Sequence, residues 1–457
     1  MFRRVLIANR GEIAERVVRA CDRLGIESVV AFSEADRDAP WLRRATRAVC
    51  VGPAPAAESY LNATAILQAA EQTECQALHP GYGFLAENAR FAARCEQQGL
   101  TFVGPPAAAI RRMGDKTEAK RWMARHGLPT IPGSSERLHD ADDATREARR
   151  LGYPVLLKAA AGGGGRGMRR CDDEAQLRRA FAEAAREAEQ AFGDGSLYVE
   201  SLIEAARHVE FQVLVDAYGT ALHLGERECS VQRKHQKLVE ESPSPAIDAA
   251  TRDGWGRRVA AAAATLGYRG AGTVEFLRAP DGRLFFMEMN ARLQVEHPVT
   301  EMVSGVDLVV EQLRIAANQP LALAQEALRL EGHAIEFRIN AEDPDRDFRP
   351  DPGRIATLAV PPATCGDGSR VRWDCGIGAG DRIPPHYDSL IGKLIVHAAD
   401  RAAALQAAAL ALDALVVEGV ATTIPFHRRL LGDPAFASGA YDTGLVQRER
   451  AGPRRAS

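Results

Sequence analysis

The sequence predicts an α/β fold of more than one domain that opens on a parallel sheet. Three observations carry that reading. Strand and helix patterns alternate from residue 4 onward, the first of them with βαβ spacing. A strand, glycine run and strand stand apart from that alternation near the middle of the chain. At 457 residues the chain is also too long for one ordinary core, so two to four domains are expected.

Taken in order, a strand from Arg4 to Ala8 leads through Asn9-Arg10-Gly11 into a helix from Glu12 to about Leu24. Gly25 stops that helix, and a second strand follows from Ser28 to Phe32. Further units are a helix from about Asn62 to Gln72, a strand at Ala77-Leu78 before His79-Pro-Gly-Tyr82-Gly83, a helix around Glu87 to Gln97, and Thr101-Phe-Val. These complete a first domain over 1–114. Residues 115–133 read as a helix to His126 and a Gly/Pro-rich linker. A small domain over 134–203 holds a helix near Asp142 to Leu151, a strand Pro154 to Ala159, the run Gly162 to Gly167, a strand Met168 to Cys171, and a helix from Asp173 to about Ala191. Residues 204–447 alternate strands and helices: Val209 to Asp216, Ala221 to Glu226, an Ala-rich helix over 256–266, a hairpin around Asp281-Gly282, a helix Leu308 to Ala317, a strand Ala334 to Asn340, and a helix Ala402 to Leu415. The tail 448–457 is charged, rich in small residues and expected to fray.

Bulk composition narrows the function. Hydrophobic content of 46% and charged content of 26% are those of a soluble globular protein, and a net charge of −3 offers no broad attraction to nucleic acid or anionic membrane. No apolar run approaches the ~18 residues of a membrane span, and the amino terminus turns polar too soon for a signal peptide. Eight cysteines without metal-ligand spacing suit reduced thiols, so a cytoplasmic location is expected. Six lysines, at 116, 120, 158, 234, 237 and 393, leave 52 of the 58 basic residues as arginine. A lysine kept against that bias marks a place for a compact ammonium, as among phosphate oxygens; leftover surface lysines are the alternative.

The carboxylate hairpin is the most informative segment. In Glu275-Phe-Leu-Arg-Ala-Pro-Asp281-Gly282-Arg-Leu-Phe-Phe-Met-Glu288, Asp-Gly favours a two-residue turn with φ > 0 at both positions. Glu275 should then lie opposite Glu288, a like-charge pairing that a divalent cation would relieve. From Glu288 to Glu296 every second residue is polar, so an extended chain would present Glu288, Asn290, Arg292, Gln294 and Glu296 on one side. The alternative is an edge strand with a solvated face.

The glycine run formally matches GxGxxG, but Met168-Arg-Arg-Cys reads as a strand and not as the helix a dinucleotide fingerprint needs, and no Lys-Ser/Thr follows Gly167 for a Walker A loop. It leaves a glycine hairpin with Lys158 at its base, able to fold over phosphates or simply a flexible surface loop. The stretch Glu226 to Pro245 is dense in cations and amides, including Gln232, His235 and Lys237. With Lys158, Glu275, Glu288 and Asn290 it completes the parts of phosphoryl transfer, although alone it could be a solvated basic loop.

At this point about residues 1 to 445 resemble the biotin carboxylase family of the ATP-grasp superfamily. The resemblance rests on Ile7-Ala-Asn-Arg-Gly-Glu-Ile-Ala14, His79-Pro-Gly-Tyr-Gly-Phe-Leu85, Met113-Gly-Asp-Lys116, Gly162 to Met168, Glu275 to Glu301 and Tyr387-Asp-Ser-Leu-Ile-Gly-Lys393. It implies an ATP-grasp fold with an N-terminal open parallel-sheet domain, a small lid domain and a C-terminal α+β domain. It implies an enzyme that activates bicarbonate with ATP to carboxyphosphate and carboxylates biotin on a carrier. Carried over residue by residue, it implies Lys116 and Lys158 on phosphates, Gly164 and Gly165 in the closing loop, Glu200 and Leu202 in the adenine hinge, and His208, Gln232 and His235 in the nucleotide pocket. Glu275, Glu288 and Asn290 would hold Mg²⁺ or Mn²⁺ at two sites. Lys237, Arg292, Gln294 and the Val295 backbone would bind bicarbonate, Glu296 would be its base, Arg338 would stabilise the biotin enolate, and Tyr82 and Gly83 would lie by the biotin ring.

A carboxylate beside bicarbonate is chemically needed, since that anion is a poor nucleophile until deprotonated. Arg338 shares a polar face with Glu336, and a mere ion pair between them is the alternative. The chain departs from the family pattern at Ser201, where lysine is usual, and at Gly378 and Asp381, where tyrosines are expected; the latter bear on local packing and on the subunit or carrier contact. No Ala-Met-Lys-Met motif is present, so biotin is expected on a biotin carboxyl carrier protein, with separate carboxyltransferase subunits and a homodimer implied by the family. Two rivals stay open: an ATP-grasp ligase for another small molecule, against which Lys237, Glu296 and Arg338 speak, and a silent nucleotide-binding paralogue, which should have lost catalytic positions.

Overall fold

The computed structural model describes residues 1–134, 136–159, 168–365 and 368–451. The amino-terminal part contains β1 (Arg4–Ile7), α1 (Gly11–Leu24), β2 (Glu27–Ser33), β3 (Arg47–Gly52), α2 (Ala63–Gln72), β4 (Ala77–His79), α3 (Ala89–Gln97) and β5 (Thr101–Phe102). Its five strands are all parallel, in the order β3-β2-β1-β4-β5. Connections on either side of β1 therefore run to opposite edges. The loops leaving the carboxyl ends of β1 and β4, Ala8 to Arg10 and Pro80 to Gly83, meet at that switch point, the usual ligand crevice of an open sheet. Asn9 Nδ2 ties them together, donating to the carbonyls of Pro80 and Tyr82 at 2.7 Å each. Gly81, at φ +62°, permits the approach, for a Cβ there would stand 2.8 Å from Asn9 Nδ2.

Two helices, α4 (Ala107–Gly114) and α5 (Lys116–Arg125), lead to a small antiparallel sheet. It is built from β6 (Val155–Ala159), β7 (Arg169–Cys171) and β8 (Leu197–Ser201) in the order β7-β6-β8, with α6 (Ala141–Leu151) and α7 (Glu174–Phe192) packed on it. Asp140 and Asp173 cap the two helices by accepting from Asp143 N and Gln176 N. Gly164 and Gly165 lie outside the described residues.

The remaining strands are β9 (Arg207–Val215), β10 (Ala221–Arg233), β11 (Gln236–Ser242), β12 (Gly270–Arg278), β13 (Leu284–Asn290), β14 (His333–Asn340), the short pair β15 (Glu342–Asp343) and β16 (Arg349–Pro350), β17 (Thr357–Ala359), β18 (Arg370–Cys375), β19 (Leu390–Ala398) and β20 (Val416–Glu418), which pairs with β17. Eight of them form one antiparallel sheet, β13-β12-β9-β10-β11-β14-β19-β18. Helices α8 (Ala249–Thr265), α9 (His297–Ser304), α10 (Leu308–Ala316), α11 (Arg401–Ala414), α12 (Ile424–Leu431), α13 (Pro434–Ser438) and α14 (Leu445–Ala451) accompany it. All nine residues of β9 are buried. Val209, Phe211, Val213 and Val215 join the apolar core with Val259 and Phe276, while the alternate residues His208, Glu210 and Gln212 make the other side of the strand a buried polar face. None of the helices of the described residues is long and apolar enough to cross a membrane.

Three sequence expectations are corrected. The Asp281-Gly282 turn is a three-residue loop, because Ala279 and Arg283 are the bonded pair that closes it and only Gly282 has positive φ. The two-residue turn with both φ positive occurs instead at Lys234-His235, between the paired residues Arg233 and Gln236. The cation-rich stretch is thus the end of a long β-hairpin and not a loop. Finally, the frayed tail does not begin at Arg448, since α14 runs to Ala451; residues 452–457 lie outside the described part.

Candidate active site

Register places the key carboxylates. Glu288 on β13 faces Glu275 on β12, Glu275 faces Glu210 on β9, and Glu210 faces Arg227 on β10. Directly opposed residues share a face, so three carboxylates and a guanidinium form one row across four strands. Only the outer pair was legible in the sequence. Arg227 is fully buried and spends its fork on Glu210 Oε1 (2.5 Å), Gln212 Oε1 (2.8 Å), Thr300 Oγ1 (2.9 Å) and Thr273 Oγ1 (3.0 Å).

Lys237, on β11, enters the same space. Its ammonium donates to Glu210 Oε2 (2.6 Å), Glu275 Oε1 (3.0 Å) and Glu296 Oε1 (2.6 Å). Burial disfavours its charge, but the surrounding anionic groups raise it well above the ordinary lysine range. His208, Glu210 and Glu275, and again Glu210, Cys229 and Glu296, bring donor atoms within 4.8 Å of one another. Lys237 already bridges their oxygens, which makes this an ammonium-centred cluster.

The expected strand from Glu288 to Glu296 ends at Asn290, and 291–296 bend before α9 begins. The polar residues still converge, by local bends and not by strand alternation. Asn290 Nδ2 and Gln294 Nε2 donate to Glu275 Oε1 at 2.7 and 3.2 Å. Arg292 bonds Gln294 Oε1 at 2.9 Å and Asn290 Oδ1 at 3.3 Å, and its Nε reaches Glu87 Oε2 at 2.8 Å. Glu87, which also accepts from Ala291 N, was missed by sequence reasoning.

Glu296, immediately before α9, is fully buried. One carboxylate oxygen takes Lys237 and the other takes Arg338 Nη2 at 2.9 Å. Burial alone would raise its pKa, but Lys237, Arg338 and Arg227 outweigh it and hold the group well below the usual range. The guanidinium of Arg338 also bonds Glu240 Oε1, its Nε at 2.6 Å. The pairing of Arg338 with Glu336 considered from sequence does not form: both oxygens of buried Glu336 lack a hydrogen bond. Tyr82 feels the charge of Arg338 and donates its hydroxyl to Glu12 on α1.

The cations expected on phosphate form a second cluster. Lys116 opens α5, whose N-cap Asp115 accepts from Thr117 N and Glu118 N at 2.9 Å each. Lys158 and Lys120, the latter missed from sequence, both contact the carboxylate of Glu200 on β8. Burial, then Lys116, pushes Lys158 down to about 8 against the pull of Glu288; burial, then Lys158 and Lys116, pushes Lys120 to about 7. Crowded ammoniums of this kind suit a polyanionic ligand. Leu202 follows Glu200 beyond β8 and is half-buried. Ile203, Leu277 and Met287 form a partly buried apolar patch on Ile131, Ala279 and Phe285. Gln232 pairs with Lys237 across the β10/β11 hairpin, and exposed His235 lies in its turn. His208 Nε2 stands 3.1 Å from Glu275 Oε2.

The carboxylate of Glu288 has no hydrogen bond or ion pair among the described residues, and burial, then Glu275, raises its pKa. Opposed carboxylates plus an amide form an oxygen-only donor set that fits a hard divalent cation. At the departures from the family pattern, Gly378 N donates to Asp381 Oδ2 at 2.6 Å, so the acid closes its own turn.

Comparison with known proteins covers nearly the whole chain. The model of the biotin carboxylase N-terminal domain matches residues 1–110, that of the carbamoyl-phosphate synthase L chain ATP binding domain residues 115–324, and that of the biotin carboxylase C-terminal domain residues 336–448. A biotin carboxylase of Nostoc sp. is 50% identical over 446 residues, 98% of this chain and 99% of its own. A pyruvate carboxylase subunit of Methanothermobacter thermautotrophicus is 47% identical over 452 residues, covering 99% and 91%. Among solved structures, the biotin carboxylase domain dimer of Hydrogenobacter thermophilus 2-oxoglutarate carboxylase, in complex with MgADP, ADP and bicarbonate, superposes with TM-score 0.94 at 47% identity, covering 98% of each chain. The Campylobacter jejuni biotin carboxylase β,γ-ATP complex gives TM-score 0.94 at 45% identity, covering 98% and 99%.

Proposed function

The chain belongs to the biotin carboxylase family, and on that premise we propose how its own residues divide the reaction. The enzyme is an ATP-grasp ligase for ATP-dependent carboxylation of biotin with bicarbonate, the first half-reaction of biotin-dependent carboxylases. It uses ATP and Mg²⁺, and its biotin comes on a partner protein.

In our reading Lys116, Lys158 and Lys120 take the phosphates. Glu200 and Leu202 form the adenine hinge, with Ile203, Leu277 and Met287 as its apolar wall and His208, Gln232 and His235 around the nucleotide. Glu275, Glu288 and Asn290 would hold Mg²⁺, or Mn²⁺ in its place, at two sites; the ion would neutralise charge on the phosphates. Lys237, Arg292, Gln294 and the Val295 backbone bind bicarbonate.

The observation that carries this division is the double clamp on Glu296 by Lys237 and Arg338. A bicarbonate anion arriving beside Lys237 competes for that ammonium and loosens its hold on the carboxylate. Glu296 then gains basicity where a proton must be removed. The deprotonated oxygen attacks the γ-phosphorus, ADP leaves, and carboxyphosphate forms. Arg338, shielded by Glu240, is left to stabilise the enolate oxygen of biotin beside Tyr82 and Gly83.

The test is ADP release from Mg-ATP and bicarbonate with and without free biotin. Release that rises with biotin is expected; release indifferent to biotin overturns the reading in favour of a ligase for another substrate. We further propose a homodimer, as in the dimer of the Hydrogenobacter domain, working in the cytoplasm with a biotin carboxyl carrier protein and carboxyltransferase subunits. The acceptor, acetyl-CoA for fatty acid synthesis, another acyl-CoA or a keto acid, is set by those partners.

A further inference from the structure

Lys393 is the buried lysine that the site does not absorb. It lies on β19, opposite Arg338 of β14 on one side and Asp374 of β18 on the other, and it is fully buried. An ammonium taken out of water must be paired, or its lost hydration destabilises the fold. Here Nζ donates to the carbonyl of Val295 at 2.8 Å and stands 3.1 Å from Glu12 Oε2.

Both partners matter. Val295 directly precedes Glu296, and its backbone belongs to the bicarbonate loop assigned above. Glu12 comes from the first turn of α1, in the amino-terminal domain, and its other oxygen accepts the hydroxyl of Tyr82. The start of α1 is pressed onto the same end of the large sheet: a Cβ at Gly376, just past β18, would stand 2.4 Å from the carbonyl carbon of Gly11. Glu12 is 4% exposed and therefore cannot exchange Lys393 for water.

We propose that Lys393 is a positioning residue that couples the biotin and bicarbonate subsites, through the continuous chain Tyr82 hydroxyl, Glu12 carboxylate, Lys393 ammonium and Val295 carbonyl. This rests on the functional reading above. Occupation of the Tyr82 side fixes Glu12, Glu12 fixes Lys393, and Lys393 holds the Val295 peptide so that Glu296 keeps its aim. The coupling is reciprocal: an anion seated at Val295 favours the same Glu12 geometry that presents Tyr82.

The experiment measures KM for bicarbonate and for free biotin in Lys393→Met, Glu12→Gln, Tyr82→Phe and the Tyr82→Phe/Lys393→Met double variant, with MgADP affinity by calorimetry as the readout of an intact nucleotide site. Loss of a hydrogen bond from a charged group predicts a rise in bicarbonate KM of about tenfold to a hundredfold for Lys393→Met, at unchanged MgADP affinity. Tyr82→Phe should also raise bicarbonate KM, although it sits on the biotin side, and the double variant should be no worse than the worse single one. A bicarbonate KM that stays within about twofold in Lys393→Met, or effects that simply add, overturns the coupling. Should Lys393→Met fail to fold, Glu12→Gln, which keeps an acceptor but loses the charge, must show the same rise, and its absence overturns the proposal. Wild-type enzyme without biotin-dependent ADP release would instead overturn the functional reading itself.

Discussion

Glu275 and Glu288 stand directly opposite each other across β12 and β13, a like-charge pair at the head of the row that continues through Glu210 to Arg227. With no cation between them such a pair costs roughly 0.5–1 kcal/mol. Glu288→Gln should therefore raise the melting temperature of metal-free protein slightly. Adding Mg²⁺ should reverse the order, because only the wild type then gains ligand stabilisation. Differential scanning calorimetry with and without Mg²⁺ checks this, and a variant that gains as much from Mg²⁺ as the wild type would show that the ion binds elsewhere.

Glu296→Gln keeps the volume and one accepting oxygen of the base while removing its basicity. Turnover should fall by about 10²- to 10⁴-fold, with MgADP binding retained, since among the described residues the partners of the Glu296 carboxylate are Lys237 and Arg338 and not the nucleotide-site residues. Equal loss of both would place Glu296 in the nucleotide site.

Arg227→Met leaves Glu210 buried with only Lys237 as a counter-charge. Removing one partner of a buried pair typically costs about 3–5 kcal/mol. The urea midpoint should drop accordingly, and a shift equivalent to less than about 1 kcal/mol would mean that Glu210 finds other compensation.

Nucleotide affinity should depend on pH through the lysine cluster. Burial and mutual repulsion lower Lys120 to about 7 and Lys158 to about 8. A bound phosphate raises both, so binding takes up protons. Affinity is then full below the lowered values and falls as pH rises through 7 and 8, by up to about tenfold per unit for each lysine. Calorimetric titration of ADP in buffers of different ionisation enthalpy should show proton uptake at pH 8, and Lys120→Met should remove the larger part of it.

The helices show what was plain in the chain. Asp173 before Glu174 and Gly25 after Leu24 carry their own start and stop chemistry, and both do their work in the structure. The facing of Glu275 and Glu288 was also legible, but for a reason only half right. The loop holds three residues, Pro280, Asp281 and Gly282, where a two-residue turn was expected, which shifts the pairing near the turn by one. Met287 then bulges out between Phe286 and Glu288 and restores it. Beyond Asn290 the alternation of polar residues mimicked a strand that is not there, because the bend into α9 happens to turn the same side chains inward.

The sequence by itself determined the element types, the family motifs and the residues that carry chemistry, since periodicity, caps and spacing are local properties. What only the tertiary structure decided is who stands beside whom. Glu210, Arg227, Glu240 and Glu87 carry no motif of their own, yet they set the charge on Lys237, Glu296, Arg338 and Arg292, and Lys120 contacts Glu200 in the same unheralded way. Periodicity tells which face of a strand a residue occupies; it does not tell that β12 runs beside β9, or that β14 runs beside β11. Those neighbours come from the packing of the whole sheet, and at buried ionisable groups the neighbour decides the charge.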